Sequence, residues 1–374
     1  MADRDKPGRS IGYVDFAAQY AEEKDEMLAA ATRVFARGDF IGGAAVAELE
    51  ADLARRIGVD HVIGLASGTA ALELGMSALG IGAGDEIITP PNSFVASTTA
   101  IVRIGAKPVF VDVGPDQNID PAAIAAKITS RTRAIMPVHL TGRVCEMEPI
   151  LALARQRNLL VVEDAAQAIG SRYQGRMAGS FGAIGCFSAH PLKILNAAGD
   201  AGFVATNDAA VAARLRTLRN IGLADRDTLV EWGTVARLDT LQAELLKGRL
   251  KRLDAQIARR RALVDLYRTR LRAADVFIPP CRNVEFNTFQ TFVVQADRRD
   301  ALKAHLAAEG VGTSIHYPTP IHLQPVAAPL GYKRGDFPIA ERQAGRILSL
   351  PAHPYLSNDD VAFVAQTVNA FYGA

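Results

Sequence analysis

His61–Val113 reads HVIGLASGTAALELGMSALGIGAGDEIITPPNSFVASTTAIVRIGAKPVFVDV. Short apolar runs alternate here with helical patterns of small residues. HVIGLAS predicts a buried strand and GTAALELGMSAL a helix. DEIITP and FVASTTAIVRIG repeat the pair, and KPVFVDV opens a third. Strands without polar alternation, each followed by a helix, predict a mainly parallel sheet covered on both faces. The pattern continues outward through DPAAIAAKI, RAIMPVHL, MEPILALARQRN and LLVVEDA. Upstream, Val46, Leu49, Leu53 and Ile57 have helical spacing.

Beyond Asp164 the alternation fades. AIGCFSA and GFVATN read as strands flanking a loop, and a long helical pattern runs from about residue 239 to 273. FNTFQTFVVQA, a helix from Arg299, GTSIHYP, ILSLP and a last helix from Asp359 predict a small α+β unit. We therefore read residues 1–245 as a large α/β domain with an N-terminal helical segment. Residues 246–374 form a small C-terminal α+β domain in this reading.

Composition narrows the function classes. The 374 residues are 49% hydrophobic and 22% charged, with 42 basic against 40 acidic side chains. A formal charge of +2 gives no general attraction to nucleic acid or an anionic membrane. The run RLKRLDAQIARRR from Arg249 reads as a solvated helix face. Cys145, Cys186 and Cys281 form no CxxC pair, so no metal site is expected and a reduced, cytoplasmic setting fits. MADRDKPGRS lacks the apolar core of a signal peptide, and no apolar run reaches the roughly 20 residues a membrane helix needs.

Ligands of such sheets gather at the carboxyl ends of the strands. Those ends carry Ser67-Gly68-Thr69, Pro90 to Phe94, Asp112, His139 and Asp164. SGTA is either a simple helix cap or a phosphate site, since amides at a helix start are unpaired and positively polarised. No G-x-x-x-x-G-K-[ST] occurs, and no G-x-G-x-x-G follows the first strand, which disfavours a nucleotide P-loop and a Rossmann dehydrogenase. Asp164 in VVEDAAQA is either a cap or an acid that keeps a heteroaromatic nitrogen protonated, with Gln167 able to donate to a ring oxygen. Lys193 lies in FSAHPLKILNAAGDAGF. A lysine desolvated there would have a lowered pKa and could form a Schiff base, with Ser188 adding a phosphate contact. Ser188 and Lys193 do not have the S-x-x-K spacing of serine acyl-enzymes. Together, a phosphate group, an aromatic cover (Phe94), an acid and an imine lysine are the parts pyridoxal phosphate needs.

SGTAALEL, PPNSFVASTTAIVRIGAKPVFVDV, MPVHLTGR, VVEDAAQAIGS, FSAHPLKILNAAGDAGFVATND and LRNIGL resemble successive blocks of the DegT/DnrJ/StrS family. RLDTLQAE, HYPTPIHLQP and AERQAGRILSLPAHPYLSNDD extend the resemblance over roughly residues 11–372. It implies a fold-type-I aminotransferase that uses pyridoxal 5'-phosphate, with pyridoxamine 5'-phosphate between half-reactions, and acts on keto sugars. In that family's terms Lys193 carries the cofactor and moves the proton. Asp164 pairs with the pyridine nitrogen and Gln167 with the ring hydroxyl. Gly68, Thr69 and Ser188 hold the phosphate, and Phe94 stacks on the ring.

The resemblance also implies a homodimer with shared sites. Asn220 and Arg237 match segments that approach the partner's cofactor or substrate. His316 and Tyr317 match a loop near the sugar, and His190 sits in the lysine loop. The sequence departs from the family at Val235, where Asn is expected, at Glu244 and at Ala201. Sugar dehydratases of the family carry His in place of the lysine, so Lys193 favours transamination. The expected reaction moves an amino group from L-glutamate to a nucleotide-linked 3- or 4-keto hexose. A cyclitol ketone, a keto-sugar phosphate, and a non-catalytic regulatory relative are the alternatives.

Overall fold

The apolar runs assemble into one seven-stranded sheet. The computed structural model describes residues 9–374, so residues 1–8 of the charged N-terminal run lie outside the described residues. Helices α1 (Phe16–Arg37) and α2 (Ala44–Ile57) precede β1 (His61–Leu65). Then come α3 (Gly68–Ala78), β2 (Glu86–Thr89), α4 (Val95–Arg103), β3 (Lys107–Phe110), α5 (Pro121–Ile124), β4 (Thr132–Ile135), α6 (Met147–Arg157) and β5 (Leu160–Asp164). Short strands β6 (Arg172–Tyr173) and β7 (Arg176–Met177) lead to β8 (Ile184–Ser188), β9 (Gly202–Thr206), α7 (Ala209–Leu218) and α8 (Thr240–Arg270). The remainder is β10 (Val276–Phe277), β11 (Glu285–Phe286), β12 (Phe292–Ala296), α9 (Arg299–Ala308), α10 (Pro338–Ala344), β13 (Ile347–Leu350) and α11 (Asn358–Tyr372).

The sheet order is β1-β9-β8-β5-β4-β2-β3. Strands β8, β5, β4, β2 and β3 are parallel, and β9 runs antiparallel to both β1 and β8. Reversing β9 brings its first residue, Gly202, opposite both Leu65 and Ser188. The ends of β1, β5 and β8 thus meet at one edge. This is the fold-type-I α/β architecture expected from the sequence. A second sheet, β10-β12-β13, is antiparallel.

Three local readings change. DPAAIAAKI forms only the single turn α5 followed by a 3-10 turn over Ala125–Lys127. RAIMPVHL is regular strand only to Ile135; beyond it, Met136 still donates to the Ile88 carbonyl at 2.7 Å and Val138 bridges Asp164, around Pro137, which has no N–H to donate. GTSIHYP makes only one bridge, Ser314 to Ser349. The Arg-rich run is also corrected: it is not one solvated face. Helix α8 packs into two cores, through Ala243, Leu246, Leu253 and Ile257 at one end and Leu263, Val264 and Tyr267 at the other. A helix covered along its length in this way must bring some arginines inward. Buried Arg249 Nε donates to Glu23 of α1 at 2.8 Å, and its Nη1 to the Asn196 carbonyl at 2.7 Å. Arg260 faces the cleft described below.

The alternation of β5 sends Glu163 and Asp164 to opposite faces. Glu163 is fully buried and accepts from the amides of Gly179 (2.7 Å), Phe181 (2.6 Å) and Gly182 (2.7 Å). His139 Nε2 lies 2.9 Å away. The Cys145 amide donates to His139 Nδ1, so the ring proton sits on Nε2 and points at the carboxylate. Glu163 therefore pins the turn before β8 and, through β5, the height of Asp164. Replacing Glu163 with alanine strands three amides in the core. Glu163→Ala should cost about 3 kcal/mol or more, read as a lower urea midpoint at unchanged slope. An unchanged midpoint would show that these bonds do not hold the turn.

Candidate active site

The carboxyl edge of the sheet opens into a cavity of about 320 Å³. Gly68, Thr69, Phe94, Asp164, Gln167, Ser188, His190, Lys193, His316 and Tyr317 all line it. Asn220 and Arg237 do not. They line a separate surface cavity with Ile41 and Gly42, where Arg237 Nη1 donates to Asn220 Oδ1 at 3.1 Å.

Helix α3 starts at the cavity wall. Ser67 caps it by accepting from the Ala70 amide at 3.0 Å, which leaves the Gly68 and Thr69 amides at the open helix end. Gly68 is required by close approach. A Cβ there would lie 2.6 Å from Cβ of Ser188. The helix start and Ser188 therefore form one polar cradle of backbone amides and two hydroxyls, the kind of surface that favours an anion.

Asp164 ends β5, buried at the cavity floor. Its Oδ2 accepts from Ser97 Oγ at 2.6 Å and its Oδ1 from the Ala166 amide at 3.1 Å. Burial raises its pKa; these two donors and the charge of Lys193 pull it back. Gln167 accepts from the Thr141 amide at 2.8 Å and donates to the Tyr317 hydroxyl at 3.2 Å. Phe94, at the start of α4, holds its ring 5.4 Å from the Tyr317 ring.

Lys193 is held by its loop. Its amide donates to the His190 carbonyl at 2.8 Å, and the Leu192 amide donates to His190 Nδ1 at 3.2 Å. His190 is thus a brace of the loop. Gln290 clamps the same stretch, accepting from the Ile194 amide (2.9 Å) and donating to the Leu192 carbonyl (2.7 Å). Burial lowers the Lys193 pKa to about 8, against the attraction of Asp164. His316 Nδ1 lies 2.8 Å from Ser349 Oγ, and burial, then Lys193, lowers its pKa to about 4. At neutral pH His316 is an uncharged hydrogen-bonding group. Burial likewise keeps the Tyr317 phenol protonated.

The sequence reading missed Ser97, Tyr13, Gln290, Arg260 and His353. Ser97 alone had a signal, three positions after Phe94 on one helix face. Buried acid, desolvated lysine and anion cradle within one cleft fit pyridoxal phosphate. Among the described residues, no group of three or more His, Cys, Asp or Glu side chains is placed to hold a metal, and no helix is long and apolar enough to cross a membrane.

The lysine titration has a sign that can be checked. Between pH about 8 and 10.5 the unfolded chain keeps the proton that folded Lys193 has released. The cofactor-free protein should therefore gain stability from this group as pH rises through that window. Its rate of reconstitution with pyridoxal phosphate should rise with a midpoint near 8. Stopped-flow absorbance and thermal melts across pH 6.5–10.5 test both; a reconstitution midpoint near the ordinary lysine value would refute the depressed pKa.

Comparison with known proteins agrees with this geometry. The family model described as "DegT/DnrJ/EryC1/StrS aminotransferase family" matches residues 21–369. A Geobacillus stearothermophilus protein named a pleiotropic regulatory protein is 39% identical, over 97% of this chain and 99% of its own. A Streptomyces venezuelae dTDP-3-amino-3,4,6-trideoxy-alpha-D-glucose transaminase is 39% identical, over 96% of this chain and 95% of its own. The crystal structure of S. venezuelae DesV in complex with a ketimine intermediate matches with a TM-score of 0.95 at 38% identity, covering 98% of this chain and 99% of that one. A family match of that extent, on a fold that gathers a lysine, an acid and an anion cradle, makes the chain a member of the DegT/DnrJ/EryC1/StrS aminotransferase family.

Proposed function

We propose that the cleft moves an amino group from L-glutamate to a nucleotide-linked keto hexose, with the ketone at C3, in two successive half-reactions. The observation that carries this reading is Lys193, desolvated and sharing one cavity with buried Asp164 and the Ser188 cradle. Relatives named as transaminases of UDP- and dTDP-linked 3-amino sugars support the C3 ketone.

When bound, pyridoxal phosphate supplies an aldehyde that exchanges for an amine and a ring that accepts electrons. Lys193 Nζ would hold the aldehyde and move a proton at the substrate carbon, work suited to an amine with a pKa near the operating pH. Asp164 would hold a proton on the ring nitrogen, and Ser97 fixes that carboxylate's orientation. Gln167 would face the ring hydroxyl, Phe94 would cover the ring, and Gly68, Thr69 and Ser188 would hold the phosphate. Uncharged His316 and the Tyr317 phenol can hydrogen-bond sugar hydroxyls without attracting a charge.

The same reading makes the chain a cytoplasmic homodimer with sites shared between copies. Trp232 is 89% exposed and Val235 62%, with Val230, Ile221, Phe40 and Ile41 also exposed. Val235 bridges to Asn220, and Ile41 shares a cavity with Arg237. Apolar surface on this scale supports a partner. In this reading Asn220 and Arg237 act on the other copy's cleft, with Val235 giving packing where the family resemblance leads one to expect Asn.

The absorption spectrum with and without L-glutamate tests the chemistry. The wild-type band near ~420 nm should move toward ~330 nm, and Lys193→Ala should lose that response. The same response in Lys193→Ala would refute the lysine's role. Trp232→Asp should shift the sedimenting species from dimer to monomer and weaken cofactor retention at least ~10-fold, because a charge would be buried in the interface. A wild-type monomer that turns over would refute shared sites.

A further inference from the structure

The sequence places Arg260 in the middle of three arginines, and the structure separates them. Arg259 Nη1 donates to Asn358 Oδ1 at 2.9 Å. Arg261 donates to the Asn287 carbonyl at 2.7 Å and lies over the Phe286 ring. Arg260 instead turns into the wall between the main cleft and a recess of about 40 Å³ beside it. Lys193, Leu192, Val14 and His353 line both spaces with it.

Arg260 has no carboxylate partner among the described residues. Its Nη1 reaches only main-chain carbonyls, Ala352 at 3.2 Å and Phe289 and Gln290 at 3.5 Å. Among the described residues its Nε is buried without a partner, and so is His353 Nδ1. His353 Nε2 lies 3.2 Å from the Gly12 carbonyl. The acid at the recess, Asp15, is engaged with the Ala18 amide at 2.8 Å as the cap of α1. Burial brings the Arg260 pKa down to about 10, so the group still carries its charge at neutral pH. A buried charge without a counter-ion is costly, and a guanidinium presents a planar fork that matches a carboxylate.

We propose that Arg260 binds the α-carboxylate of the amino-acid donor, with His353 Nδ1 alongside. This rests on the aminotransferase reading above. The donor carries that carboxylate on the same carbon from which Lys193 must take a proton. A cation on a wall shared with Lys193 is therefore placed for the α-carboxylate rather than for a distal one. A keto sugar has no acid on its reacting carbon, so Arg260 serves the first half-reaction.

The test compares wild type, Arg260→Met and Arg260→Lys holoenzymes. Single-turnover absorbance with L-glutamate, L-alanine and 4-aminobutyrate separates the carboxylates, because 4-aminobutyrate lacks the one on the reacting carbon. Arg260→Met should lose at least ~100-fold in kcat/KM with both L-amino acids, chiefly through KM, and change less than ~2-fold with 4-aminobutyrate. Arg260→Lys should recover part of the loss. Calorimetric titration with glutarate, which needs no turnover, should show binding to wild type and at least ~10-fold weaker binding to Arg260→Met. Equal losses with all three amines, or glutarate binding unchanged in Arg260→Met, would overturn the assignment. A wild type that responds to no amine would refute the aminotransferase reading, and the glutarate titration would then decide the anion site alone.

Discussion

The pairing of Ser188 with Gly202 is the constraint on which the cleft depends. It closes the loop that carries Lys193, and the Ala189 amide extends the closure by donating to Ala201 at 2.8 Å. Inside the loop the Ala197 amide returns to Ala189 at 2.7 Å. Elements distant in sequence then fix the rest. Gln290 holds Leu192 and Ile194, Gln242 accepts from the Ala198 amide, and Arg249 of α8 reaches the Asn196 carbonyl. Ordering such a loop loses conformational entropy at every residue. Backbone pairing at its base and side-chain clamps along it offset that loss and leave the lysine one narrow range of positions. Because Gly202 also faces Leu65 across β1, the same pairing presses the start of α3 against Ser188. Lysine and anion cradle are thus set by one register.

Burial acts on the two charged groups in opposite senses. It lowers Lys193 and raises Asp164, and the attraction between them opposes both shifts. Neither group is tuned alone. Taking away the Asp164 charge would leave Lys193 with burial only, and its pKa would fall further. Ser97 matters for the same reason. Its 2.6 Å hydrogen bond lowers the Asp164 pKa, against burial, which raises it by more.

Much of this was legible in sequence because strand ends are. The runs ending at Leu65, Asp164 and Ser188 are apolar and short, so their carboxyl ends could be located and their polar residues assigned to one edge. Helical spacing gave α2, α6 and α8 for the same reason. What lies above that edge was not legible. Tyr13 and Val14 come from a stretch with no periodicity before α1, and His353 from a loop after β13. Periodicity states which face of an element is buried and is silent on what covers it. The Arg-rich run failed on this point. Charge density suggested solvent, but α8 runs through two cores, and Arg249 and Arg260 follow the packing. Asn220 and Arg237 lie apart from the cleft within one chain, a separation that spacing along the chain cannot express.

Some relatives carry regulatory names, and the geometry bears on how much weight those names take. A protein kept only for its surface has no need of a lysine whose charge is penalised by burial, nor of a buried aspartate hydrogen-bonded to a serine. Each such group costs stability that a neutral residue of similar size would not. In this chain those costs fall together, at the carboxyl edge of one sheet, around one cavity that also contains an arginine with no carboxylate partner among the described residues. Destabilising groups scattered by drift would not converge on the place where an α/β sheet receives its ligands. Their convergence is the argument for catalysis.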